Sequence, residues 1–481
     1  MNASVSMSRW SVGNNAPRHV HLTRDVLIKA GVLRDPADPE QAYQQARVLA
    51  KNGQYAEAAS LVRPHARIDG RLGLKMNELL GRCAMYGGGD WESLLKATLQ
   101  GYRESDDQLG IARTLRDIGG MLIEVGSFDE ADRVLRKSVH LFRARYDNRR
   151  AALAKMLRAR LRLRAGYVNR AQIRIDQVIE ELEQLEDSHG LAFARLERAV
   201  IAAHQGRKED AAKDLVAAES YLGRSGHPLE RVRARLTRAE CLHLLGESRR
   251  AANGLKRILV DVIDLEEVPI RAFVHSLLGE TLSTVNPNAA RQYLMRARHL
   301  FARLNNRYQV AHCDVALALV EGPMGLNAKS RFAALPIAEL GKWPALAAQY
   351  NIARAELCAG SKAERSRQAL LKSRTFATDN GDRTLMRQID LALRQTGLVD
   401  EEELNRLGAA EDEEPLARAG ISGAPRPEPY VISDITDHDV LVVPRSLITV
   451  RMMGGSPTAV PETAALKPPQ SVGVKSFRAR A

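Results

Sequence analysis

The sequence is short of cysteine, aromatic residues and long apolar runs, and each shortage removes a class of protein. Its four cysteines, Cys83, Cys241, Cys313 and Cys358, are spread through 481 residues and form no CxxC pair. That spacing suits neither a disulfide framework nor a zinc module. Each cysteine falls in an apolar helical pattern, where a buried reduced thiol is expected. Aromatic residues make up only 5% of the chain, so leucine and alanine, both good helix formers, must fill the core. No apolar run approaches the ~18 residues of a membrane span. The N-terminal stretch MNASVSMSRWSVGNNAPRH lacks the apolar segment of a secretory signal. A cytoplasmic location without membrane insertion is the expectation.

Compact catalytic signatures are missing too. There is no GxxxxGK[ST], no HExxH and no GxSxG; Gly341-Lys342 lacks the upstream glycine, and Gly223-Arg224-Ser225-Gly226 has the wrong spacing. His19 and His21 flank Val20 with no third ligand beside them, so they are taken as solvated histidines rather than a metal site. His204 and His243 precede inter-helix turns and are taken as surface positions. Acidic neighbours such as Glu180-Glu181 follow helical surface logic, and nothing presses two of them together as an acid–base pair. The expectation is a protein that is not an enzyme, with no cofactor and no metal.

What the chain does have is a repeat. A small residue followed seven positions later by glycine recurs as Ala46/Gly53, Gly81/Gly88, Gly119/Gly126, Ala159/Gly166, Ala199/Gly206, Ala239/Gly246 and Ala353/Gly360. The positions 126, 166, 206, 246 and 286 (the last an asparagine) are forty residues apart at every step. Such a period means a solenoid, and a solenoid makes binding the default function. Between the glycines the apolar period is helical. Leu115, Ile118, Gly119 and Leu122 share one face, and Ala131, Leu135 and Ser138 share a face of the next helix. Gly53, Gly88, Gly126, Gly166, Gly206, Gly246 and Gly360 are the expected turns, each ending a helix in a left-handed conformation. Gly87-Gly88-Gly89 falls at one of these turns, so it is assigned there and not to a phosphate loop.

This pattern resembles the tetratricopeptide repeat (TPR). In one unit Gly119, Gly126, Phe128 and Ala131 fill the family's small, turn, aromatic and packing slots; in others Gly53, Tyr55 and Ala58, or Gly166, Val168 and Ala171, do so. The period departs from the family's usual 34, in the manner of longer units in bacterial regulators, and the proline after the second helix is mostly absent. The resemblance implies an all-α, right-handed superhelical solenoid of about nine helix-turn-helix units. It spans residues 40–407, after an N-terminal extension (1–39) and before a tail (408–481) whose proline, glycine and weak periodicity predict disorder. Within that tail Val440–Val450 is strand-prone, but Pro444 argues against a central strand.

Net charge is +13; residues from Glu411 onward hold nine acidic and eight basic side chains, leaving about +14 on residues 1–410. A basic body favours anionic partners. Arginine is dense from Arg143 to Arg174 and again from Arg231 to Arg238. In the family the first helix of each unit lines the groove. Carried over by register, Lys75, Arg82, Arg113, Arg116, Arg160 and Arg164 form a positive inner stripe suited to carboxylates. The leading expectation is therefore a scaffold or regulatory adaptor holding an acidic or extended peptide of a protein partner in its groove. Two alternatives are a nucleic-acid-associated protein using the 143–174 surface, and the sensor arm of a multi-protein transcriptional or signalling regulator. Aromatic residues for base stacking are sparse around that surface.

Overall fold

The computed structural model describes residues 38–412, apart from 225–227, 263–266, 327, 329–330, 332–334, 336 and 358–362. Among these the regular structure is helical throughout, an all-α solenoid. The helices pair as α1 (Pro39–Lys51) with α2 (Tyr55–Val62), α3 (Arg71–Gly87) with α4 (Trp91–Glu104), and α5 (Gln108–Glu124) with α6 (Phe128–Ala144). Next come α7 (Asn148–Arg164) with α8 (Val168–Gln184), α9 (Ser188–His204) with α10 (Lys208–Arg224), and α11 (Pro228–Leu244) with α12 (Ser248–Val262). Then α13 (Val268–Leu282) pairs with α14 (Pro287–Arg303), and α15 (Arg307–Glu321) is followed by the short α16 (Ile337–Leu340). The series closes with α17 (Pro344–Leu357), α18 (Ala363–Asn380), α19 (Arg383–Gln395) and α20 (Glu401–Asp412). Gly360, Cys358, His19, His21, Val440–Val450 and nearly all of the expected extension and tail lie outside the described residues.

Two kinds of turn set the repeat. From first to second helix the chain turns on glycine, with φ of +83° at Gly53, +88° at Gly88, +80° at Gly126, +87° at Gly166, +72° at Gly206 and +82° at Gly246. At Gly126 the geometry is a Schellman motif. Its N–H meets the Ile123 carbonyl at 3.2 Å, and the Ser127 N–H meets that of Leu122 at 2.8 Å, so two orphan carbonyls are satisfied. From second helix to the next first helix four turns use a left-handed residue other than glycine, Asp106, Tyr146, Glu186 and Asn305 with φ of 50–56°, whereas Gly381 (φ +73°) serves between α18 and α19. The following residue then caps the next helix. Asp107, Asp147, Asp187 and Asn306 accept from the backbone N–H of Gly110, Arg150, Gly190 and Gln309 at 2.9–3.1 Å.

The small-residue slot is where paired helices cross. A Cβ on Gly119 would lie 2.5 Å from Leu135 Cγ, and one on Gly279 2.4 Å from Leu294 Cγ. Ala159, Ala199 and Ala239 fill the same slot and are buried, as are Ala131, Ala171, Ala211 and Ala251 opposite. Cys83, Cys241 and Cys313 are buried, and burial pushes the thiols of the last two well above the usual thiol range.

The coil then returns on itself. Trp343 Nε1 donates to the Gly126 carbonyl at 2.8 Å, across 217 residues. Its ring meets Tyr308 edge-on, and Tyr308 meets Phe128. Tyr167 meets Phe376, Thr384 Oγ1 donates to the Ala203 carbonyl, and Tyr55 donates its hydroxyl to Glu267. His204, expected at the surface, instead sits 3.2 Å from Asp382 across 178 residues. These separations, 178 to 217 residues, amount to about four and a half to five and a half 40-residue repeats. Turns of early units therefore pack on late units, and one apolar cluster joins Trp91, Phe128 and Leu135 to Tyr308, Trp343 and Tyr350.

Candidate functional site

The expected stripe residues all stand on the first helices of their units (α3, α5 and α7), on the face that the sequence register assigns to the groove. Lys75 and Arg47 stand over the Tyr43 ring at 5.9 and 5.7 Å. Arg82 and Arg116 share one carboxylate, Asp117, at 3.7 and 2.7 Å. Arg113 pairs with Glu78 at 3.1 Å, and Tyr102 donates to the same carboxylate at 2.8 Å. Arg160 Nε donates to Glu197 at 2.9 Å. Arg164 lies over Phe273 at 5.2 Å, with no carboxylate in ion-pair range among the described residues. Burial opposes its charge, but Glu124 and Glu240 outweigh that and raise its pKa.

The inner surface is thus a ladder of both signs, and the stripe is not uniformly positive. Glu78, Asp117 and Glu197 come from neighbouring units and interleave with the arginines. Further along, Arg233 reaches Glu267 at 3.3 Å and covers the Tyr86 ring at 5.7 Å, which links α11 to α3 across the coil. His243 Nδ1 lies 3.2 Å from Thr281 Oγ1, also on the inner side. Among the described residues three buried acceptors here lack a hydrogen-bond donor: Asp117 Oδ2, Glu124 Oε2 and Glu267 Oε2. Such atoms cost free energy until a donor reaches them. Arg82 keeps 48% of its side chain open to solvent, so the ladder is accessible from at least this end.

The 143–174 arginines divide in two. Arg160 and Arg164 face inward. Arg158 and Arg162 share Asp132 at 2.9 and 3.4 Å. Arg143 and Lys155 both meet Glu181, and Arg149 meets Asp187 at 2.7 Å. Arg174 has no carboxylate in ion-pair range among the described residues. Its burial and the nearby Arg158 and Arg162 lower its pKa. In the second cluster Arg235 pairs with Asp261 and Arg238 with Glu219. No group of three or more metal-ligating side chains occurs among the described residues, and none of their helices is long and apolar enough to cross a membrane.

No family model matches the chain, and no curated protein does. Among solved structures it resembles a Rap protein complexed with competence and sporulation factor, at 14% identity and a TM-score of 0.42, covering 78% of this chain and 98% of that one. It also resembles the P58(IPK) TPR domain, at 16% identity, a TM-score of 0.21, and coverage of 74% and 98%. A circular tandem repeat protein follows at 14% identity, a TM-score of 0.16, and coverage of 78% and 91%. By its own helix pairs and glycine turns the fold is an all-α helical-repeat solenoid. Sequence reasoning missed the acidic partners of the stripe arginines. The signal was present: Arg113 and Glu78 are 35 residues apart, Arg160 and Glu197 are 37 apart, and Arg149 and Asp187 are 38 apart, each close to one repeat.

Proposed function

We propose that this chain is a non-enzymatic interaction scaffold that takes an extended segment of a partner protein along its inner, mixed-charge ladder. The observation that carries this reading is the coexistence on that surface of under-committed arginines and donorless carboxylate oxygens. Arg82 and Arg116 share Asp117, and Arg164 lies over Phe273 with no carboxylate in ion-pair range among the described residues. Asp117, Glu124 and Glu267 each hold an acceptor with no donor. An extended peptide offers both complements: backbone N–H groups for the carboxylates, and carbonyls or acidic side chains for the guanidiniums. The test is capture followed by cross-linking from α3, α5 and α7. Arg82→Gln with Arg164→Gln should reduce capture while helical content stays constant. Cross-links confined to the even-numbered helices, or unchanged capture, would remove the inner surface from the account.

A second reading rests on Arg174. With Arg136, Arg158 and Arg162, which all pair with Asp132, it forms a four-arginine group, which suits a phosphate backbone. Binding of single- or double-stranded DNA should then fall steeply with salt. No binding at low salt would end this alternative.

A further inference from the structure

A cleft of about 400 Å³ opens between α13 and α14, lined by Arg271, His275, Met295, Arg296, His299 and Leu300. No carboxylate is among its described lining residues. On the same helix α14, Arg291 bonds Glu321 at 2.8 Å and Arg298 bonds Asp314 at 2.7 Å. Arg296 faces the cleft instead and has no ion pair among the described residues, and neither does Arg271. Two polar atoms at the cleft, Arg271 Nε and His275 Nδ1, are buried with no hydrogen-bond partner among the described residues. A buried donor without an acceptor is costly, and here two such atoms come from neighbouring turns of α13.

The cleft is also held in shape. The Tyr293 ring stacks on His275 with centroids 5.7 Å apart and planes 26° apart. The Arg296 guanidinium lies over that same ring, 6.0 Å from its centroid. One aromatic side chain thus positions a basic group from each helix. Burial, then Arg296 and Arg271, push the His275 imidazole down to about 4, so at neutral pH it offers a hydrogen bond without a charge. The charge of the site is therefore that of its two guanidiniums, with His299 at the mouth.

We propose that this cleft binds a phosphate monoester. Two guanidiniums balance a dianion, and their planar forks match the oxygens of a phosphoryl group in a way a lysine could not. A monocarboxylate would leave one guanidinium uncompensated. Met295 and Leu300 give an apolar rim for the organic part of the ester. This site is separate from the inner ladder, and its test does not depend on the peptide reading.

The experiment is isothermal titration of the full chain with inorganic phosphate, O-phospho-L-serine, adenosine monophosphate and succinate. One phosphate ligand should bind per chain, and succinate should bind much more weakly. Arg271→Gln and Arg296→Gln should each weaken phosphate binding about tenfold or more, as expected for losing one charge-assisted pair. Arg303→Gln, on the exposed end of α14 and outside the cleft lining, should change nothing. Arg296 is exposed, so its loss should leave the fold intact. Tighter binding of phosphoserine would point to a phosphorylated protein segment as the source, and tighter binding of the nucleotide to a free metabolite. Absence of phosphate binding, equal binding of succinate, or an equal loss in Arg303→Gln would overturn the proposal.

Discussion

Two turn glycines separate the cost of a left-handed backbone from the cost of opening the coil. Gly126 and Gly246 have nearly the same φ, +80° and +82°. Their surroundings differ. A Cβ on Gly246 would meet nothing within 4 Å, whereas one on Gly126 would lie 2.6 Å from Trp343 Nε1 and 2.8 Å from Tyr308 Cβ. Gly246→Ala should therefore cost only the backbone term, roughly 1–2 kcal/mol. Gly126→Ala bears that term and must also push aside an indole that is 3% exposed and bonded to the Gly126 carbonyl at 2.8 Å. Overpacking adds roughly 1–3 kcal/mol and a lost hydrogen bond about 1 kcal/mol. The difference between the variants should be about 2–4 kcal/mol.

The assay is hydrogen exchange on the peptides around 122–128 and 340–346, read beside urea unfolding of the whole chain. A long repeat array need not unfold in one step, so the local readout carries the weight. Gly126→Ala should speed exchange at both ends of the contact, and Gly246→Ala at neither. Trp343→Phe, which keeps bulk and loses the donor, should fall between wild type and Gly126→Ala. Equal losses in the two glycine variants, within about 0.5 kcal/mol, would refute the idea that early and late units are joined at this point.

Other expectations follow from single groups. Burial raises the Glu356 carboxyl to about 7, so the folded chain favours its neutral form. That contribution is complete below the unfolded pKa near 4.5 and is lost as pH rises through 7. Glu356→Gln should flatten a decline of up to about 3 kcal/mol over that window, seen in stability measured against pH. Burial opposes charge on both His204 and Asp382, yet their attraction prevails, raising the first pKa and lowering the second. The His204 contribution is lost as pH rises through its folded pKa, and the Asp382 contribution as pH falls through its own. The melting-temperature gap between wild type and His204→Gln should thus peak between about pH 4 and 6.5 and shrink above it. Asp147→Ala removes a helix cap and should cost about 1 kcal/mol in urea unfolding; no loss would remove the cap from the repeat's description.

What was legible in the sequence was whatever repeats within one unit. A left-handed turn demands glycine at a fixed place, so the glycine register predicted the turns at Gly126, Gly166, Gly206 and Gly246 directly. The caps at Asp107, Asp147 and Asp187 keep the same forty-residue step. They escaped notice because aspartate is common and the left-handed residues before them (Asp106, Tyr146 and Glu186) are not of one residue type. The helix face on which an arginine falls is a local, 3.6-residue property and can be read from register. The charge of the stripe was misjudged because neutralisation is not local: Glu197 belongs to the unit after Arg160, and Glu78 to the unit before Arg113. The contact of Trp343 with Gly126 lies further still beyond reach. It depends on the pitch of the coil, which accumulates from small rotations over several units, and no single unit encodes that sum. A lone tryptophan after Gly341-Lys342 carries no mark of the carbonyl it will meet 217 residues upstream. For the same reason the inner surface cannot be judged from one helix face. Whether an arginine there is free for a partner is decided by side chains one repeat or more away, as far as Tyr86 lies from Arg233.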